Sequence, residues 1–405
     1  MRTHARLLIC GALGATSACS WAQFDDLKDD TWVGTTEKPA LDSSDYGVAI
    51  QRGALGSPTA SGGSLVVIGT ADPTRSQLVY DDRGDSRVAS NTVELKTLYG
   101  ISTLETQPIL IADPAGDDVS LVINSGVNQI TVLTGTDQIE LHQVFFTPSA
   151  VDAAAYIRAP GAPRAQPLIA SGEFVIATFY AGQPVPQTKC RLTDGGAAIS
   201  PRALGAVPAG NVDDVLAWGA NGKLYKYPSD VFNGCAADQE PLASIDTTFK
   251  PARGSQILRL DDTHVVLQGH NDGDGGFLQV FQWSAGPPET LTAVGGAVAQ
   301  SKLRAAAILD RSDGTYVIAG CPTAAVDGDG PAAGEVRLFA VSATTGIEAT
   351  ATTTLHDAQP EGNQAFGRSV AALPFNGTQV IAVAASNEIF VYFRSPLYDE
   401  TRQGR

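Results

Sequence analysis

Residues Phe366 to Tyr392 read FGRSVAALPFNGTQVIAVAASNEIFVY. The first piece, Arg368 to Leu373, stops at Pro374 and the turn pair Asn376-Gly377. The second, Gln379 to Ala385, is apolar and β-branched, and the third, Glu388 to Phe393, carries Ile389, Val391 and Phe393 at period two. Three short strands follow from this pattern. Such a meander has an apolar sheet face that it cannot cover alone, so a neighbouring sheet must cover it.

Upstream sequence supplies the neighbours. Strand, turn, strand, turn, strand recurs in units that begin near residues 46, 107, 166, 209, 254, 301 and 366. The mean period is about 53 residues, and a strand-only repeat of that length marks a solenoid or propeller. A less regular fourth strand is expected in the connectors ASNTVELKTLYG and GIEATATTTLHD. The expected fold is all-β, a seven-bladed β-propeller with four-stranded antiparallel blades, because radially arranged sheets bury one another's apolar faces. Tyr80, Tyr225, Tyr227, Phe281, Trp283, Phe339 and Tyr392 fall on third strands, where they pack between blades.

Composition agrees with many strands and tight turns: 42 glycines, 23 prolines and only 17% charged residues in a chain of 405. The formal charge is −16, from 27 basic and 43 acidic residues. No basic stripe interrupts the acidic background, so a nucleic-acid backbone is excluded as a partner class.

The amino end reads as an export signal. MRTHAR is basic, LLICGALGATSA is apolar and uncharged, and the segment is too short for a membrane span. Processing has two readings. TSAC makes Cys19 the lipidated first residue of a lipoprotein, whereas Ser20 and Ala22 form a small-x-small site for cleavage after Ala22. The expected organisation is a signal peptide at 1–18, a tether at 19–40, the propeller at 41–395 and a tail at 396–405. Within the tether, Trp32 and Val33 offer a second reading, docking onto the last blade to close the circle. Removing residues 1–18 takes away Arg2 and Arg6 and no acid, so the charge becomes −18.

At Phe366-Gly367, Tyr46-Gly47 and Gly320-Cys321-Pro322 the chain resembles the FG-GAP family, the integrin-α-type propeller also found on bacterial surfaces. Gly334 with EVRLFA, Gly222 with KLYKY and Glu388 with IFVYF resemble that family's last strand. The resemblance implies a propeller with surface loops that bind partners, and calcium as the ion such loops can hold. Candidate loops are Asp113 to Asp118, Asn211 to Asp214, Asn271 to Gly275, Asp310 to Gly314 and Val326 to Gly330. All are shorter than a full calcium loop, and Tyr316 stands where a final carboxylate would be. Their aspartates and glycines read as turn formers, so no cofactor is expected.

Catalytic motifs are absent from the sequence: no GxSxG elbow, no HExxH and no Walker loop occurs. His142, His264, His270 and His356 are scattered without zinc spacing, and Cys321 reads as a small buried residue. A bridge between Cys190 and Cys235 is one pairing that an exported chain allows. The expected function is non-enzymatic binding or scaffolding at the cell surface or outer membrane, with envelope proteins or extracellular polysaccharide as partners. Arg52 to Gly63, Ala181 to Pro201 and Val326 to Gly334 are the candidate presenting loops. The competing class is a polysaccharide hydrolase or lyase at the central mouth, which calls for acids, His and Arg clustered there.

Overall fold

The computed structural model describes residues 31–37, 49–53, 64–69, 77–81, 91–94, 109–112, 119–126, 129–135, 140–146, 149–160, 165–177, 188–229, 238–284, 286–326, 332–357, 362–375, 378–386 and 388–394. The chain is all-β and built from four-stranded antiparallel sheets in a β-propeller-type arrangement. The first sheet holds β2 (Ala49–Gly53), β3 (Ser64–Gly69), β4 (Gln77–Asp81) and β5 (Asn91–Glu94) in chain order. The second holds β6 (Ile109–Ala112), β7 (Val119–Gly126), β8 (Gln129–Gly135) and β9 (Glu140–Phe146). The third holds β10 (Val151–Ile157), β11 (Gln166–Ser171), β12 (Phe174–Ala177) and β13 (Thr188–Arg191). A two-stranded hairpin, β14 (Thr193–Asp194) and β15 (Ala197–Ala198), precedes the fourth sheet.

That fourth sheet is β16 (Pro201–Ala209), β17 (Val212–Gly219), β18 (Lys223–Tyr227) and β19 (Ala243–Asp246). The fifth is β20 (Gln256–Arg259), β21 (His264–His270), β22 (Gly276–Ser284) and β23 (Thr290–Ala299). In the sixth, β24 (Ala305–Arg311), β25 (Gly314–Cys321) and β26 (Glu335–Ser342) are completed by β27 (Gly346–Ile347) and β28 (Thr353–Leu355), both paired with β26. The last sheet takes β29 (Ser369–Phe375), β30 (Thr378–Ala384) and β31 (Glu388–Arg394) from the carboxyl end and β1 (Thr31–Glu37) from the amino end.

Successive sheets touch through their first strands: β2 meets β6, β6 meets β10, and the series runs on through β16, β20, β24 and β29, which meets β2. Second strands show why sequence alternation gives way to continuous apolar runs here. In β17, Val215 and Ala217 pack with Leu168 and Ala170 of the third sheet, while Leu216 and Trp218 pack with Val265 and Leu267 of the fifth. Both faces are buried, so both carry apolar side chains. The third-strand aromatics Tyr225, Tyr227, Phe281, Trp283 and Phe339 are all buried between sheets.

Two glycines are fixed by space at the joint between the sixth and last sheets. A Cβ on Gly320 would lie 2.1 Å from the carbonyl oxygen of Gly367, and Gly367 itself has φ +85° beside a fully buried Phe366. The residues that resemble the Phe-Gly and Gly-x-Pro elements thus meet one another in space.

Four expectations need correction. Thr31 to Glu37, assigned to a tether at 19–40, forms a strand that pairs antiparallel with β31, from Thr31 opposite Arg394 to Glu37 opposite Glu388. The flanking acids of QFDDLKDD masked the β-forming run TWVGTT, and the docking reading is the one that matches. The third unit begins at Val151, not near 166, and the fourth at Pro201, not near 209. VDAAAYI and PRALGAVPA are rich in alanine and interrupted by Asp or Pro, so propensity reads them as connectors although tertiary packing makes them strands. Finally, Ala181 to Pro201 is no open loop throughout, since it contains β13 and the β14–β15 hairpin.

Candidate functional site

The entrances to the first strands hold a charge cluster that joins three sheets. β10 and β16 each begin with the same irregularity. In β10, Val151 pairs with Ser171 and Ala153 with Ala170, which leaves Asp152 as the extra residue. In β16, Pro201 pairs with Gly219 and Ala203 with Trp218, which leaves Arg202 as the extra residue. A bulge re-aims the side chain it ejects from the ladder. Here the two ejected side chains meet.

Arg202 Nη1 donates to Asp152 Oδ1 in a short contact. The same oxygen accepts from Arg253 Nη2 at 2.9 Å and Nε at 3.2 Å. The other carboxylate oxygen accepts from the backbone N–H of Gly172 at 3.0 Å. Gly172 sits in the β11–β12 turn at φ +60°, a conformation open to glycine, and Ser171 Oγ steadies that turn by donating to the Ser149 carbonyl at 2.7 Å. Arg253 enters from the segment before β20, so one carboxylate joins the third, fourth and fifth sheets.

The carboxylate and its bases differ in exposure. The Asp152 side chain is 5% exposed, whereas Arg202 and Arg253 are 31% and 38% exposed. Two guanidinium charges face one carboxylate, which leaves a surplus of positive charge, and both arginines keep N–H donors that this oxygen does not use. Arg304, directly before β24, extends the set by donating Nη2 to the Gly273 carbonyl at 2.7 Å. Arg368 occupies the corresponding place directly before β29. His270, at the end of β21, has a pKa below its ordinary value because burial, then the nearby Arg304 charge, disfavours its protonation.

A second charged trio lies elsewhere. Lys226 Nζ reaches Asp214 Oδ2 at 2.7 Å and also Glu289 Oε2, linking the fourth sheet to the β22–β23 connection. Glu240 forms a third knot. Its carboxylate accepts from Thr193 Oγ1 at 2.7 Å and from the N–H groups of Gly195 and Gly196 at 2.8 Å each, pinning the β14–β15 turn. Those three bonds, Thr193 first, hold its pKa below the usual carboxylate value.

The sequence-derived candidates take quieter places. Cys19 lies outside the described residues, as do Asp113 to Asp118 and most of Val326 to Gly330. In Asn211 to Asp214, Asp213 accepts from the Arg158 backbone N–H at 2.7 Å and Asp214 serves Lys226. In Asn271 to Gly275, Asn271 Oδ1 accepts from the N–H groups of Gly273 and Gly275, and Asp274 pairs with Lys302. Asp310 accepts from Thr315 Oγ1 at 2.9 Å. Among the described residues, no three His, Cys, Asp or Glu side chains converge as a metal site.

His264 and His270, which flank one strand, do not come together in a site: His264 Nδ1 lies 2.9 Å from Asp261, and His270 faces Arg304. His356 lies with Nδ1 2.8 Å from the Asp357 carbonyl, and the side chain of His142 lies outside the described residues. Cys190 is disulfide-bonded, and Cys235 lies outside the described residues. Cys321 is fully buried with its thiol pKa pushed up by burial to about 12, which leaves it inert as a nucleophile. Of the presenting loops, residues 54–63, 181–187 and 327–331 lie outside the described residues. No helix among the described residues is long and apolar enough to cross a membrane.

Sequence reading missed Asp152, Arg202 and Arg253. A signal for them exists: Arg202, Arg253, Arg304 and Arg368 stand at the entrances to the first strands of four successive units. Placing the third and fourth units on their second strands hid it.

No protein-family model matches the chain. No curated protein matches it in sequence either. Its fold is similar to that of two solved structures of a β-propeller domain, both crystal structures of BBS1N in complex with ARL6DN. The crystal soaked with lead gives a TM-score of 0.52 at 13% identity, covering 90% of this chain and 98% of that one. The crystal soaked with mercury gives 0.53 at 11% identity, covering 90% and 97%. At such identity the likeness concerns the fold alone.

Proposed function

We propose that this chain is a non-enzymatic binding protein of the cell envelope, a seven-bladed propeller of the FG-GAP type held at the outer membrane or cell surface by a lipid on Cys19. The cyclic series of first-strand contacts and the pairing of β1 with β31 support a ring whose last blade is closed by the amino end. Export and lipidation rest on the basic, apolar and small-residue pattern of residues 1–19. Cys235 is the partner we assign to Cys190.

The observation that carries the binding reading is the Asp152–Arg202–Arg253 cluster. It presents partly exposed, preorganised donors from two sheets, held by an acid from a third, yet contains no nucleophile beside a base and no paired acids set for hydrolysis. In the structures of similar fold, BBS1N is captured with a protein, ARL6DN, and we extend that mode, a propeller surface engaging another macromolecule, to this chain. Partners are an envelope protein or an extracellular polysaccharide.

The test is to immobilise the mature protein and expose it to solubilised envelope proteins and to envelope polysaccharides, following both retention and chain length. Saturable retention without cleavage is the expected result. Depolymerisation of any polysaccharide would replace the binding reading with the hydrolase or lyase. Intact-mass analysis of the amino end adds the anchor: an acylated Cys19 is expected, and a plain terminus at Gln23 would mean release.

A further inference from the structure

We infer that the Arg202–Arg253 entrance is a receptor for a single carboxylate projected by a protein partner, with Asp152 as the internal group that holds the two arginines in place until the partner's acid joins them. The inference rests on the binding role proposed above and names the chemistry of its ligand.

Three observations converge. First, Asp152 and Arg202 are both bulge residues at the same position of neighbouring sheets, so the backbone is deformed twice to bring them together. Second, the donors are not used up. Arg202 commits one nitrogen and Arg253 two to one oxygen of Asp152, and no other hydrogen bond of either side chain is present among the described residues. A planar guanidinium suits bidentate capture of a carboxylate, and these two are about one-third exposed while their anchor is buried. Third, Arg304 contributes further positive charge on the side of His270, with Asp272, just beyond the end of β21, the acid that partly offsets it.

Charge on the larger scale selects the class of ligand. The whole chain carries −16, so a polymer with an acid on every unit is repelled by most of the surface it must cross. A basic protein surface with one projecting Asp or Glu is attracted by that same field and fits the local surplus of positive charge. A sugar site would gain from aromatic platforms, yet the third-strand aromatics Tyr225, Tyr227, Phe281, Trp283 and Phe339 are buried and the one exposed large apolar side chain among the described residues is Leu242.

The test uses the full mature protein and three probes: a lysine- and glycine-flanked peptide with one central glutamate, the same peptide with glutamine, and trigalacturonate. Titration calorimetry should show the glutamate peptide binding about tenfold more tightly than its glutamine counterpart. Arg253→Gln, at a side chain exposed enough to leave the fold intact, should erase that preference. Asp152→Asn should instead strengthen binding of the glutamate peptide several-fold, because it removes the internal competitor for the same donors. A merely structural cluster would weaken or ignore the peptide in that variant. Equal binding of the two peptides, or a preference that survives in Arg253→Gln, would overturn the inference. Trigalacturonate binding through Arg253 in place of the peptide would overturn the assignment to a protein partner. If the envelope partner is retained equally by wild type and Arg253→Gln, the entrance is wrong while the binding role stands; if wild type retains nothing, the binding role itself falls.

Discussion

The Asp152 and Lys226 trios both bridge sheets, and they are built as opposites. At the entrance, one carboxylate, Asp152, is buried and two arginines around it reach solvent. Between the fourth and fifth sheets, one ammonium, Lys226, is 4% exposed and is enclosed by Asp214 at 10% and Glu289 at 26%. The lysine is a point charge surrounded by its partners, with little capacity left for anything else. The arginines spend part of their fork on Asp152 and keep the rest outward. The difference separates a cross-link from a receptor: both tie sheets together, but only one retains donors where a ligand can arrive.

The contrast is broken most severely at the lysine. Lys226→Met leaves two carboxylates side by side in a buried seam, and urea unfolding should show a loss of about 3–5 kcal/mol. Adding Asp214→Asn and Glu289→Gln to that variant should recover most of the loss, because neutral amides remove the uncompensated charges while the new asparagine keeps an acceptor for the Ser229 N–H. Failure to recover would mean that the trio does more than cross-link.

Asp152→Ala should cost less, about 1–3 kcal/mol, since the two arginines it abandons can turn to water. Equal losses at Lys226 and Asp152 would erase the distinction drawn from exposure.

Smaller still is the pH effect of His270. Its folded pKa lies below the ordinary value of 6.5, so the neutral form is the one the fold favours. The stability this contributes is complete above the unfolded value and is lost as pH falls through the folded value. Wild type should therefore weaken more than His270→Gln when acidified from neutral pH, as followed by chemical denaturation. A parallel pH dependence in the two proteins would remove His270 from the account.

The smallest change is expected at Glu240, whose folded pKa is below 4.5. Its clamp on the β14–β15 turn is present above the unfolded pKa and released as pH falls through the folded one. Amide exchange at Gly195 and Gly196 should quicken on acidification, and Glu240→Gln should already show the faster rate at neutral pH. Unchanged exchange in that variant would show that the turn holds itself.

What could be read beforehand follows from where the information lies. The strands of the fifth, sixth and last units were legible because His264 to His270 and Gly276 to Ser284 carry β-branched and aromatic residues between plain turn signals. The buried third-strand aromatics were legible for the same reason. Alanine-rich β10 and β16 were not, since their strand state comes from packing against neighbours rather than from their own side chains. The site inherits that opacity. Asp152 finds its partners in Arg202 and Arg253, residues from two other sheets, and no local spacing announces an ion pair assembled by the convergence of first strands. Glu240 and Thr193 are equally remote in sequence from the partnership they form.

The pairing of β1 with β31 also sets an order of events in time. The sheet that contains the last strands cannot acquire its fourth strand until both ends of the chain are present, however early the amino end emerges. Contacts this distant along the chain close late, because so much entropy must be lost before they form. Until Glu388–Arg394 has been made and delivered, Thr31–Glu37 waits as an unpaired edge, the state most prone to join the wrong partner. A truncation that reaches Glu388–Arg394 therefore does not trim this protein; it leaves the amino-terminal strand without the edge on which it docks.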